Sequence, residues 1–112
     1  FDDVEDNFTI MKEEPFGPLV PILTFKTFDE VIERANDNDL GLCSYLYTNS
    51  MDKAHIGSEK LESGCVAVNT GVVAIAEAPF GGIKQTGYGR EGGSGAIKDY
   101  LNVKYTHMGL KI

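Results

Sequence analysis

The chain has 112 residues, 42% of them hydrophobic and 24% charged, a length for one domain and an ordinary soluble globular balance. Its 17 acidic against 10 basic residues, a formal net charge of −7, exclude a nucleic-acid partner, because neutralising phosphate needs clustered Lys and Arg. No apolar run approaches the roughly 20 residues that span a bilayer. The opening Phe1-Asp2-Asp3-Val4-Glu5-Asp6 is acidic where a signal peptide is basic and then apolar, so a cytoplasmic location without membrane contact is the expectation.

Asn7-Phe8-Thr9 fits a glycosylation sequon, which without a secretory signal is a chance match. Leu19 to Lys26 is apolar and β-prone, with Pro21 confining regular pairing towards its end. Thr27 then opens a helix, with Glu30 three residues later as a capping box requires. Phe28, Val31, Ile32 and Ala35 give that helix one apolar face, and Asn36-Asp37-Asn38-Asp39 with Gly41 end it. Leu42 to Thr48 reads as a second strand. Asn49 and Ser50 offer caps for a helix from Met51 to Glu62, which Gly64 stops. Cys65-Val66-Ala67-Val68 is a short buried strand ending at Asn69.

The order β-α-β-α-β predicts an α/β fold with a parallel sheet and crossover helices. Thr70 to Gly95 is one long ordered loop, with seven of the 13 glycines between Gly81 and Gly95. Ser94 is placed to cap a short helix through Ala96, Ile97 and Tyr100, and Asn102 to Leu110 reads as a final extended segment. Successive right-handed crossovers put both helices on one side of a sheet whose strands need cover on both. One apolar face is therefore expected to be bare, covered by other chain segments or another subunit.

The chemistry-bearing side chains are few. Cys43 and Cys65 sit in apolar runs and read as buried free thiols in a reducing compartment, not a disulfide. His55 and His107 lack partners at metal-ligand spacing, so no metal site is expected. Gly87-Tyr88-Gly89-Arg90-Glu91-Gly92 matches the G-x-G-x-x-G dinucleotide fingerprint but follows a loop instead of a strand, and is rejected. Glu14 carries two acceptor oxygens, enough for both hydroxyls of a ribose, and Phe16 is placed to pack beside a flat ring.

Glu13-Glu14-Pro15-Phe16-Gly17-Pro18, after Ile10-Met11-Lys12, and the later Pro79-Phe80-Gly81-Gly82-Ile83-Lys84 with Gly87-Tyr88-Gly89-Arg90-Glu91 resemble the aldehyde dehydrogenase superfamily. The part resembled is the C-terminal portion of the catalytic domain, and the likeness runs through Phe25-Lys26, Gly41-Leu42, Tyr45 and Gly64 to Asn69. It implies that Glu14 holds the nicotinamide ribose of NAD or NADP while Phe16 supports the ring. It implies that Phe80 lies on the aldehyde pocket wall, that Arg90 and Glu91 form a structural ion pair, and that Lys84 is structural. Val103 to Leu110 is then an edge strand pairing between subunits, making 102–112 an oligomerisation tail of a homo-oligomer.

Asn69-Thr70-Gly71-Val72-Val73 and Asp99-Tyr100-Leu101 with Lys104-Tyr105 look most like succinate-semialdehyde dehydrogenases. Those often carry a serine for the substrate carboxylate where this chain has Ala74. In the family a cysteine thiolate attacks the carbonyl and a glutamate activates water. Neither Cys43 nor Cys65 has the nucleophile's Gly-Gln-x-Cys surroundings, so no catalytic residue lies in this chain. The resemblance implies residues 1–112 are a partial domain, inactive alone, whose nucleophile and dinucleotide-binding domain lie upstream. The alternative is a non-catalytic oligomerisation module built on the same fold piece.

Overall fold

The computed structural model describes residues 2–111; Phe1 and Ile112, the ends of the expected unit and tail, lie outside the described residues. The elements are α1 (Thr9–Lys12), α2 (Phe28–Asn36), β1 (Leu40–Gly41), β2 (Cys43–Leu46), α3 (Met51–Lys60), β3 (Cys65–Val68), β4 (Ile83–Lys84) and a 3-10 helix (Ala96–Tyr100).

Helix α2 starts where its capping chemistry demands. The Thr27 hydroxyl accepts from the Glu30 N–H at 3.2 Å. The Glu30 carboxylate returns to the Lys26 N–H at 2.9 Å, one residue earlier than in the usual reciprocal box. That N–H is the main reason the Glu30 carboxyl is held below its ordinary value, with the Thr27 N–H and Arg34 adding to it. Asp29 and Glu30 in the first turn and Arg34 in the last suit the helix dipole. Thr27→Ala is expected to cost about 1 kcal/mol, read as a lower urea midpoint, with Thr27→Ser near neutral.

Helix α3 is capped by Ser50, whose hydroxyl accepts from the Lys53 N–H at 3.3 Å. It ends at Lys60, short of Glu62, because the Asn36 side chain intervenes. Its amide donates to the Lys60 carbonyl and its oxygen accepts from the Glu62 N–H, both at 2.8 Å. The ends of both helices are thereby tied together. Gly57 lets α3 lie close on β2, since a Cβ there would sit 2.6 Å from Leu46 Cδ2.

Strands β2 and β3 pair in parallel, from Cys43 opposite Cys65 to Leu46 opposite Val68, with α3 as the crossover. The expected three-strand sheet is corrected here: Leu19 to Lys26 forms no strand. Pro21 lacks an N–H, and no described segment lies beside this stretch to complete a ladder. Val20 and Ile22 stay 66% and 62% exposed. The expected Leu42–Thr48 strand is shorter, running Cys43–Leu46 as β2, and β1 just before it belongs to a different pairing.

The glycine-rich region is more ordered than a loop. Within it β4 runs antiparallel to β1, Ile83 facing Gly41 and Lys84 facing Leu40, and Phe80 bridges Glu91. Gly95 rather than Ser94 precedes the 3-10 helix, with no side-chain cap; a Ser94 cap is thus corrected. Residues 101–111 carry no strand, so the edge strand expected at Val103–Leu110 does not form. A ladder needs a partner, and none of the described residues supplies one. Val103, Tyr105 and Leu110 remain 85% or more exposed and the molecule is 78 Å long.

Cover is short, although the three-strand sheet from which a bare face was expected does not form. Among the described residues only Ile32 and Ala67 are buried apolar side chains, while Leu42 and Tyr45 on or beside β2 lie open. No described helix is long and apolar enough to cross a membrane.

Candidate functional site

Arg34, on α2, shapes the first half of the site. Its guanidinium donates to both Asp6 carboxylate oxygens, at 3.1 and 2.8 Å, and to the Thr24 carbonyl at 2.9 Å. The hydrogen bond to Asp6 also raises the guanidinium pKa. One side chain thus closes the stretch from residue 6 to residue 24 at both ends. Within it α1 ends at Lys12, Glu13 after it is extended, and Pro15 keeps the residue before it out of helical conformation.

Glu13, Glu14 and Pro15 line a groove of about 550 Å³, whose other wall is Leu40 to Tyr45 with Thr86 at one end. Among the described residues the Glu14 carboxylate has no hydrogen-bond or ion-pair partner, so both oxygens are available. Phe16 does not line this groove and stands 96% exposed. That is far from an ordinary core phenylalanine.

Phe80 forms the second half. Its N–H donates to the Glu91 carbonyl at 2.7 Å and its carbonyl accepts from the Glu91 N–H at 2.8 Å. The half-buried ring lines an adjoining groove of about 340 Å³, which shares Leu42 and Thr86 with the first. Thr86 fixes the junction, its hydroxyl accepting from the Gly41 N–H at 2.8 Å. Glu14 and Phe80 are therefore brought to neighbouring concavities, whereas Ala74 is exposed and lines neither groove.

Lys84 holds the frame, as a structural lysine should. Its Nζ donates to the Asn36 and Asn38 carbonyls at 2.8 and 2.9 Å and meets Glu62 at 2.6 Å. The expected Arg90–Glu91 ion pair is corrected. Arg90 Nη1 donates instead to the Gly82 and Gly89 carbonyls at 2.8 and 2.7 Å. Its backbone N–H donates to Asp99, and Glu91 is engaged through its backbone. Neighbours in sequence point apart along a bridged segment, so adjacency alone was a poor guide to pairing.

Sequence reasoning missed Thr86 and the Asn36 side chain, whose roles arise from partners 45 and 26 residues away. No local pattern signals such contacts. Among the described residues no group of three or more His, Cys, Asp or Glu converges as a metal site. Cys43 and Cys65 are free thiols.

Comparison with known proteins gives these features a context. Residues 1–106 match the aldehyde dehydrogenase family. Over 108 residues the chain is 46% identical to the succinate-semialdehyde dehydrogenase [NADP(+)] of Escherichia coli, covering 96% of this chain and 22% of that protein. It is 51% identical over 104 residues to retinaldehyde dehydrogenase 3 of Rattus norvegicus, covering 93% of this chain and 20% of that one. The NAD+ complex of an aldehyde dehydrogenase from Bacillus cereus superposes with a TM-score of 0.88 at 47% identity, over 92% of this chain and 21% of that one. The chain thus spans about a fifth of the length of the curated relatives it matches.

Proposed function

We propose, because the chain belongs to the aldehyde dehydrogenase family, that it forms one wall of the catalytic cleft of an enzyme oxidising an aldehyde to a carboxylate with NAD or NADP. Residues 1–112 are then the C-terminal part of a catalytic domain, with a semialdehyde or a less polar aldehyde of similar length as the substrate class. The observation that carries this reading is the Glu14-Pro15-Phe16 segment. Among the described residues its carboxylate has no hydrogen-bond or ion-pair partner, and its ring lies almost wholly in solvent.

The donor set fits the nicotinamide end of a dinucleotide. Glu14 would accept hydrogen bonds from two ribose hydroxyls, and Phe16 would lie against the ring. When bound, the dinucleotide supplies the hydride acceptor. Phe80, in the adjoining groove, excludes water from the side on which the aldehyde enters. The nucleophile is proposed to lie upstream, since neither Cys43 nor Cys65 stands in the Gly-Gln-x-Cys surroundings expected of it. The exposed tail after the 3-10 helix is proposed to complete a sheet with a second copy.

Substrate class is tested by grafting this chain in place of the corresponding segment of the Escherichia coli relative. Ala74 presents no hydroxyl, so the chimera is expected to prefer an uncharged aldehyde of similar length over succinate semialdehyde. Ala74→Ser is expected to raise kcat/KM for the semialdehyde about tenfold, on the order of one hydrogen bond to a charged group. No change on adding the hydroxyl would remove position 74 from the carboxylate contact.

A further inference from the structure

We infer that Cys43 and Cys65 form a reversible oxidation site, closing into a cross-strand disulfide when the chain meets a hydroperoxide. The two stand opposite each other at the first register position of the parallel β2–β3 pair. Paired strands lie about 4.8 Å apart, within the about 4.4–6.8 Å of Cα separation that a disulfide spans. Both are free thiols, and both are half-buried rather than sealed. The Cys65 thiol leans on the Gly81 carbonyl at 3.7 Å, a weak tether that a small rotation gives up.

The two thiols differ in environment. Burial and then the adjacent Cys65 push the Cys43 thiol up. Cys65, whose sulfur is held only by the weak contact to the Gly81 carbonyl, is the one we assign to meet the peroxide. Its thiolate displaces hydroxide from hydrogen peroxide, which takes up a proton, giving a sulfenic acid and one water. The Cys43 sulfur then attacks that sulfenic sulfur, loses its proton, and releases the second water as the S–S bond forms. The two thiols are oxidised by two electrons in all and the peroxide is reduced to two waters.

Cys43 lies on the wall of the Glu14 groove, but the pairing rests on the strand register and not on that carboxylate, so the site stands whether or not the dehydrogenase reading does. The test is hydrogen peroxide in small excess on the purified chain, quenched with N-ethylmaleimide and read by intact mass. Expected is a loss of two hydrogens with no maleimide adduct, reversal by dithiothreitol, and Cys43 and Cys65 peptides joined on digestion. Cys43→Ser is expected to leave Cys65 as a sulfenic acid that dimedone traps. Two maleimide adducts after peroxide, a bridge between copies, or oxygen added to one cysteine of the unmutated chain would overturn the site. Equally fast bridging in concentrated urea would overturn it too, because the strand register is what brings the sulfurs together.

Discussion

Gly64→Ala will cost more stability than substitution of any glycine in the exposed turns, on the order of 3 kcal/mol or more. Gly64 follows α3 where the chain turns into β3, and a Cβ there would overlap the Gly81 carbonyl, with Gly82 Cα also within 2.9 Å. The obstacle is backbone, so no rotamer change relieves it. Both sides are pinned: the Gly64 N–H donates to the Gly41 carbonyl at 3.0 Å, and Arg90 holds the Gly82 carbonyl. The contrast is Gly17→Ala, where the added Cβ meets nothing within 4 Å. Urea denaturation followed by circular dichroism reads the pair. Equal midpoints for the two variants would mean that the glycine loop does not lie against the start of β3.

The second large effect is on cofactor use. In the chimera described above, Glu14→Gln is expected to lower kcat/KM for the dinucleotide by about 10- to 100-fold, the loss of a charge-assisted pair of hydrogen bonds to ribose hydroxyls. Glu13→Gln is the internal control, one residue away on the same groove. The expectation is specific to the ribose end, so the variant's stability should not change: among the described residues Glu14 makes no hydrogen bond or ion pair. Glu13→Gln and Glu14→Gln behaving alike would show a general effect of groove charge, not a ribose contact.

What could be read in the residues beforehand was local chemistry. Thr27 and Ser50 as caps and the helices behind them depend on neighbours within four positions, and each is present; the Cys65–Val68 strand is present too because Cys43–Leu46 lies beside it. The strand read at Leu19–Lys26 failed because apolarity shows that a segment can pair, not that a partner lies beside it. The same reasoning explains the unpaired tail after Tyr100. The short β4 escaped notice because two residues amid glycines, one of them Lys84 at φ +55°, carry no periodic signal. At the site, Glu14 and Phe80 were legible as motif residues, but their neighbouring grooves depend on Thr86 and Arg34, which hold segments distant in sequence.

The central claim is that these residues supply one wall of a cleft whose nucleophile is encoded elsewhere. Aldehyde-dependent formation of reduced dinucleotide, followed by absorbance for the purified chain and for the chimera side by side, addresses it most directly. The account predicts turnover by the chimera and none by the chain alone. Turnover by the 112-residue chain by itself, or a correctly folded chimera that binds dinucleotide yet leaves the aldehyde untouched, would contradict it.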